Sequence, residues 1–147
     1  KSNPGYRKKS NLAANTETAM HKRIDHIVVR VKDLDASIHD YTTKLGMRVS
    51  KGPDDIPALG MRRALLPMGD SGQFIELAEP LGDGGAIGRA LERRGEGLHL
   101  VALAVDDLAA AVAQMKANGA ELIEAGSQVF VHPRDGHGVM YQLVERK

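Results

Sequence analysis

Two stretches of the chain carry the same pattern of hydrophobic and polar positions, 74 residues apart. Residues 25–34 read DHIVVRVKDL, and residues 99–108 read HLVALAVDDL. Each is a run of aliphatic residues that ends in acidic residues, which is typical of a buried strand followed by a turn. An internal repeat of this length predicts a fold built from two copies of one unit.

After each acidic turn, hydrophobic residues recur at the spacing of one helix face. They are Leu34, Ile38, Tyr41 and Leu45 in the first copy, and Leu108, Val112, Met115 and Gly119 in the second. Aspartate is a preferred residue at a helix N-terminus and glycine at its end. The residues suited to these places are Asp33 or Asp35, Asp106 or Asp107, Gly46 and Gly119. The pattern therefore predicts one helix at the same place in each copy.

Short strands are predicted after each helix. They lie near residues 47–50, 61–67 and 73–78 in the first copy, and near 121–124, 128–132 and 139–144 in the second. Residues 86–94 predict a further short helix between the copies, closed by Gly95. The fold class is therefore α+β, with two tandem βαβββ modules at residues 24–79 and 97–145. One helix covers one face of each module, so we expect the free faces to curve around a shared cleft.

The modules predict one domain over residues 24–145, preceded by an N-terminal extension at residues 1–23. The first 19 residues show no hydrophobic period, contain several basic residues and have a single acidic one, Glu17. A tag or a flexible arm, an upstream extension and part of a processed presequence all fit this composition. We interpret the segment as an appendage to the domain.

The composition excludes several classes of protein. The chain has no cysteine, which excludes disulfide scaffolds and thiolate metal sites. Its 20 basic and 19 acidic residues give no strong field for attracting nucleic acid. The longest nearly apolar stretch, Leu98 to Val105, is much shorter than the roughly 20 residues of a membrane span. We therefore expect a cytoplasmic protein with a small-molecule substrate and neither a nucleic-acid nor a membrane partner.

Strand alternation and the repeat together select side chains for the cleft. His26 on the first strand corresponds to Leu100, and Glu76 corresponds to Gln142 on the last strand of the second module. A glutamate in an apolar strand is costly to bury unless it is paired, protonated or bound to a metal. Glu76 is therefore the strongest candidate for chemistry. With His26 and Gln142, it offers the donor types that a divalent cation accepts.

Two neighbouring features leave alternatives open. His99 lies one position away from the cleft register, so it faces the helix side unless a β-bulge shifts it. Arg62 and Arg63 lie on a strand whose alternate residues face the cleft. Either one guanidinium enters the cleft to bind a carboxylate or a phosphate, or both are solvated at a sheet edge.

These residues resemble the vicinal oxygen chelate superfamily, which includes glyoxalases, bleomycin-resistance proteins and dioxygenases, and most of all its methylmalonyl-CoA epimerase branch. A duplicated βαβββ module is the hallmark of that superfamily. The segments that carry the resemblance are IDHI at 24–27, IELAEPLG at 75–82, LERRGEGLH at 91–99, and His132-Pro133 followed by Gly138-Val139. The resemblance extends from about residue 24 to residue 145.

The resemblance implies a divalent metal (cobalt, nickel, manganese or zinc) held by one residue from each of four strands, and a homodimer. It also implies exchange of the α-proton of an acyl-CoA thioester, with Glu76 and Gln142 as the catalytic residues. The ligand positions carried over to this chain are His26, Glu76, Leu100 and Gln142. Leu100 stands where epimerases have histidine, and Gln142 where they commonly have glutamate. We therefore expect His26, Glu76 and Gln142 as metal ligands, with weaker binding than four protein ligands would give.

Three functions fit this chain. The first, which we expect, is a metal-assisted isomerase or lyase that acts on a small acyl-CoA thioester or a 2-oxo compound. The second is a metal-free enzyme in which Glu76 acts as an acid or base. The third is a non-catalytic protein of the same fold that binds a small ligand.

Overall fold

The computed structural model describes residues 19–82 and 85–147. Residues 1–18 of the predicted N-terminal extension lie outside the described residues. Its last residues belong to the first strand, which begins at His21, three positions before the predicted module. None of the described helices is both long and apolar enough to cross a membrane.

The described residues form eight strands, three α-helices and a 3₁₀ turn at Pro57–Leu59. The strands are β1 (His21–Arg30), β2 (Lys51–Ile56), β3 (Met61–Pro67), β4 (Phe74–Pro80), β5 (Gly97–Val105), β6 (Leu122–Ala125), β7 (Gln128–Val131) and β8 (Tyr141–Glu145). The helices are α1 (Leu34–Thr43), α2 (Gly85–Arg94) and α3 (Leu108–Ala117).

All eight strands belong to one sheet, in the order β2-β3-β4-β1-β5-β8-β7-β6. The two halves have the same pairing, because β1 runs parallel to β4 and β5 runs parallel to β8. An antiparallel pairing of β1 with β5 joins the halves at the centre of the sheet. The two tandem βαβββ modules are thus confirmed.

The repeat extends to the helix caps. Asp33 and Asp107 have nearly identical backbone angles, with φ −135° at both and ψ 106° and 105°. Their carboxylates accept 3.0 Å hydrogen bonds from the backbone N–H groups of Ala36 and Ala110. Each bond satisfies one of the N–H groups that the first turn of a helix leaves without a helical partner. Matched caps therefore begin the two helices at equivalent positions.

Removing either cap is expected to lower the free energy of unfolding by about 1 kcal/mol. Urea unfolding of Asp33→Ala and Asp107→Ala measures this change. Asp40→Ala is the control, because Asp40 is exposed and makes only an i,i+4 ion pair with Lys44. A cost no larger than that of the control would show that the caps do not stabilise the helices.

Hydrophobic side chains pack on both faces of the sheet. On the helix side of the first module, the fully buried Leu34 of α1 packs among Ala64, Leu66 and Leu77. On the other face, a second cluster joins both modules to α2. Its buried members are Val28, Met61, Ala78, Ile87, Leu100 and Ala102. The cleft is therefore apolar at its base, and α2 packs against that base.

The first module differs from the prediction between its helix and β3. The strand predicted near 47–50 is wrong, since the strand lies at Lys51–Ile56. Met47 and Val49 are hydrophobic because they pack against the helix-side cluster, not because they pair in the sheet. The true strand is polar because it lies at the sheet edge. Leu45 does not continue the buried helix face either, because α1 ends at Thr43 and Leu45 is 60% exposed.

Candidate active site

Two rows of side chains cross the central strands on the cleft side of the sheet. Register places Phe74, His26, Ala102 and Gln142 in the first row. It places Glu76, Val28 and Leu100 in the second. The repeat relates His26 to Leu100 and Glu76 to Gln142, so each row contains one member of each related pair.

A cavity of about 430 Å³ opens on this face. Glu76, Leu100 and Gln142 all line it, which places three of the four predicted positions in one cavity. Most of its other lining side chains are apolar, and they include Val28, Met61, Ile87, Phe130 and Met140. Among the described lining residues, Glu76 is the one acidic side chain. A cavity of this size and composition suits a small organic ligand with few polar groups.

Glu76 is buried, with 5% exposure, and is paired with an arginine. The Nη1 of Arg63 donates to the Oε1 of Glu76 at 3.0 Å. Arg62, its neighbour on β3, points to the other side of the sheet and pairs with Asp35 and Asp55. Of the two alternatives for these arginines, the structure shows one guanidinium on the cleft side, bound to a carboxylate of the chain itself.

Asp25 orients His26. A register shift between Ile24 and His26 leaves Asp25 as an extra residue in β1, and its carboxylate is buried beside the imidazole. The Nδ1 of His26 lies 2.8 Å from the Oδ2 of Asp25, and Arg146 donates two 3.0 Å hydrogen bonds to the same carboxylate. Burial alone would raise the pKa of Asp25, but the bonds from Arg146 and His26 lower it below its ordinary value. The ionised carboxylate only accepts, so Nδ1 of His26 is the donor.

The predicted convergence of His26 with Glu76 and Gln142 stays a prediction. His26 lies in the same row as Gln142, but it is not one of the described residues that line the cavity. Its ring stacks on Phe74, with ring centres 4.4 Å apart. The imidazole is held from two directions, by a carboxylate and by an aromatic ring.

A β-bulge turns His99 into the cavity. Val28 pairs with Leu100 and Val29 pairs with Leu98, so His99 is an extra residue in β5. The buried guanidinium of Arg30 donates 2.8 Å and 2.7 Å hydrogen bonds to the carbonyls of Gly95 and Leu98, which fix the chain before the bulge. His99 consequently lines the cavity instead of facing the helix side. The bulge alternative is the one that the structure shows.

His99 is electrically neutral at physiological pH. Burial, followed by the nearby charges of Arg30 and Arg94, lowers the pKa of its imidazole from 6.5 to about 4. A neutral imidazole carries one N–H donor and one acceptor. The cavity therefore contains a neutral polar group in addition to Glu76 and Gln142.

The lowered pKa predicts a loss of stability in acid. Between pH 6.5 and about pH 4 the unfolded chain binds a proton at His99 that the folded chain does not, so stability falls as the pH falls through this window. We expect His99 to contribute about 1–2 kcal/mol of this loss between pH 7.5 and pH 5. Urea unfolding of the wild type and of His99→Gln at both pH values measures it. An equal loss in both proteins would contradict the assignment.

The donor set does not fit a divalent metal. Oε1 of Glu76 is already bound by a cation, Leu100 offers no donor atom, and Gln142 is uncharged. Within residues 19–82 and 85–147, no group of three or more His, Cys, Asp and Glu side chains is placed to hold a metal ion. One feature does suit a metal ligand, since a histidine held by a carboxylate, like His26 by Asp25, is common around metals. It is a single donor, and one histidine does not make a site.

The paired βαβββ modules, with a cavity between strands of both, define the class of protein to which the chain is similar. Residues 25–141 match the model of the glyoxalase/bleomycin resistance protein/dioxygenase superfamily. The chain belongs to that superfamily.

Within it, several of the similar proteins are epimerases of acyl-CoA compounds. The chain is 30% identical over 131 residues to the ethylmalonyl-CoA/methylmalonyl-CoA epimerase of Cereibacter sphaeroides, covering 82% of this chain and 96% of that protein. The methylmalonyl-CoA epimerase of Mycobacterium tuberculosis superposes with a TM-score of 0.79 at 32% identity, covering 88% and 91% of the two chains. That of Streptomyces coelicolor, in complex with 2-nitronate-propionyl-CoA, gives 0.77 at 31% identity, covering 85% and 97%.

Proposed function

We propose that the protein acts on a small acyl-CoA thioester, whose acyl group lies in the cavity, and that Glu76 exchanges the proton on the carbon next to the thioester carbonyl. The observation that carries this proposal is a buried carboxylate in the wall of an otherwise largely apolar cavity. Two of the similar proteins, an ethylmalonyl-CoA/methylmalonyl-CoA epimerase and an epimerase in complex with 2-nitronate-propionyl-CoA, support the substrate class.

The geometry divides the work between the two oxygens of Glu76. Arg63 holds Oε1 and so fixes the orientation of the carboxylate. Oε2 is then the oxygen that takes the proton from the substrate, exchanges it with solvent and delivers a solvent-derived proton to the same carbon. A base fixed in this way needs less reorganisation before the proton moves than a mobile side chain would.

Two neutral groups of the cavity are suited to the substrate oxygen. As the α-proton leaves, negative charge develops on the thioester oxygen, and N–H donors aimed at that charge lower the barrier. The imidazole of His99 and the amide of Gln142 both line the cavity and both can donate. A neutral imidazole is a sufficient donor for this task, as in triosephosphate isomerase.

One carboxylate favours exchange over inversion. Inversion requires a proton to be removed from one face of the carbon and delivered to the other, which ordinarily takes two groups. Gln142, at the position related to Glu76 by the repeat, cannot accept a proton. The proposed activity is therefore proton exchange, with slow interconversion of epimers.

Incubating the wild type with one epimer of methylmalonyl-CoA in D₂O, followed by proton NMR, tests this function. Deuterium at C2 above the enzyme-free rate supports it. Binding of the thioester without exchange would favour the non-catalytic alternative, and neither binding nor exchange would contradict both.

Three narrower predictions rest on the resemblance to the superfamily. Metal assistance through His26, Glu76 and Gln142 is what the resemblance implies; the donor set of this chain argues against it, and elemental analysis of protein purified without a chelator distinguishes the two. A homodimer is proposed as well, and light scattering of the purified protein tests it. The cytoplasmic location is likewise a proposal, tested by cell fractionation.

A further inference from the structure

Glu76 forms an ion pair with Arg63. Glu76 is buried, the side chain of Arg63 is 22% exposed, and the two meet on the cleft face of the sheet. A carboxylate that is buried in its ionised form is stabilised by a nearby positive charge. Arg63 supplies that charge from within the chain.

Arg63 also carries an unsatisfied donor. Its Nε is buried and has no hydrogen-bond partner among the described residues. A buried donor without a partner lowers stability, so the Nε atom gains nothing from the position of this side chain. The contact that accounts for the position is the one with Glu76.

We propose that Arg63 is the resident cation of this site, taking the place of a divalent metal, and that the chemistry at Glu76 is metal-independent. The statement about chemistry rests on the proposed function, and the statement about the cation does not. A dication bound to Glu76 would lie within a few ångströms of a guanidinium that cannot lose its charge. Leu100 offers no donor atom in the same wall of the cavity, so Leu100 and Arg63 both disfavour a bound metal.

Metal titration of four proteins tests the proposal. Cobalt(II) is the probe, because its visible absorption reports coordination and calorimetry gives its affinity. The proteins are the wild type, Leu100→His, Arg63→Gln combined with Leu100→His, and the control Arg62→Gln combined with Leu100→His. Glutamine at position 63 can still donate to Glu76 but carries no charge, and Arg62 lies on the opposite face of the sheet.

We expect no stoichiometric cobalt binding by the wild type. The variant that lacks the charge of Arg63 and has histidine at position 100 should bind at least tenfold more tightly than Leu100→His alone. The control with the Arg62 substitution should match Leu100→His. Urea unfolding of each variant confirms that it is folded. If the variant with Arg63→Gln is unstable, Leu100→His, which leaves the ion pair intact, still measures how tightly cobalt binds in the presence of Arg63.

Two results would overturn the proposal. The first is a wild type that contains one equivalent of metal, or that binds cobalt as tightly as the variant with both Arg63→Gln and Leu100→His. The second is a folded variant with both Arg63→Gln and Leu100→His that binds cobalt no more tightly than Leu100→His alone. The exchange reaction is measured separately, with and without EDTA. If the wild type exchanges no proton under either condition, the proposed function fails, and the cobalt titration still decides which cation the site holds. Exchange that EDTA abolishes would contradict metal independence.

Discussion

Glu76→Gln is expected to lower the rate of α-proton exchange by at least about 100-fold, the lower end of the contribution of a general base. The amide has the shape of the carboxylate and can still accept the hydrogen bond from Arg63, so the cavity is preserved. It cannot take a proton from carbon. Deuterium incorporation into methylmalonyl-CoA, followed by proton NMR at matched enzyme concentrations, measures the change.

Glu79→Gln is the matched control for this experiment. Glu79 lies on the same strand, but its carboxylate accepts a hydrogen bond from the N–H of Leu34 at the start of α1, on the helix side of the sheet. Its substitution should leave the exchange rate within about twofold of the wild type, because it touches no cavity group. Equal losses in the two variants would indicate a general effect on folding, and no loss in Glu76→Gln would remove Glu76 from the mechanism.

Gln142→Glu is expected to raise the rate of epimer inversion by at least about tenfold. The repeat relates this position to Glu76, and both side chains line the cavity. A carboxylate at position 142 would supply the second proton-transfer group that inversion requires. Loss of the starting epimer, followed by separation of the two epimers, measures the gain.

The control for Gln142→Glu is Gln128→Glu. Gln128 also lines the cavity, but it lies on β7, outside the two pairs of positions that the repeat relates. Gln128→Glu adds the same negative charge to the cavity at a position that the repeat does not relate to Glu76. A similar gain in both variants would show that charge alone matters and that the repeat does not place a second base.

The fold was predictable because its main signal repeats along the chain. Leu34 and Leu108 begin helices at equivalent positions, and Asp33 and Asp107 cap them alike. A pattern that occurs twice is less ambiguous than the same pattern once, since each copy checks the other. Lys51–Ile56 escaped prediction because an exposed edge strand has no hydrophobic alternation.

The site was predictable only where strand alternation is regular. Glu76, Leu100 and Gln142 follow the register and reach the cavity, whereas His99 reaches it through a bulge of one residue. A single extra residue in a strand moves a side chain to the opposite face of the sheet, and the sequence gives little sign of where such a bulge lies.

The partners of the site residues depend on contacts that no local pattern encodes. Arg146 binds Asp25 from 121 positions away along the chain. Which of Arg62 and Arg63 faces the cleft depends on the register of β3, and its pairing with β2 is irregular. The contact with Glu76 shows that Arg63 is the one on the cleft side. Arg63 bears most directly on the proposed metal independence, because its guanidinium pairs with the carboxylate that the resemblance assigns to a metal.

The ratio of deuterium incorporation to inversion, measured in one sample of wild type with a single epimer of methylmalonyl-CoA in D₂O, tests the central claim most directly. Proton exchange by one carboxylate predicts that deuterium enters C2 several times faster than the starting epimer is lost. Inversion that keeps pace with deuterium incorporation, or no incorporation above the enzyme-free rate, would contradict it.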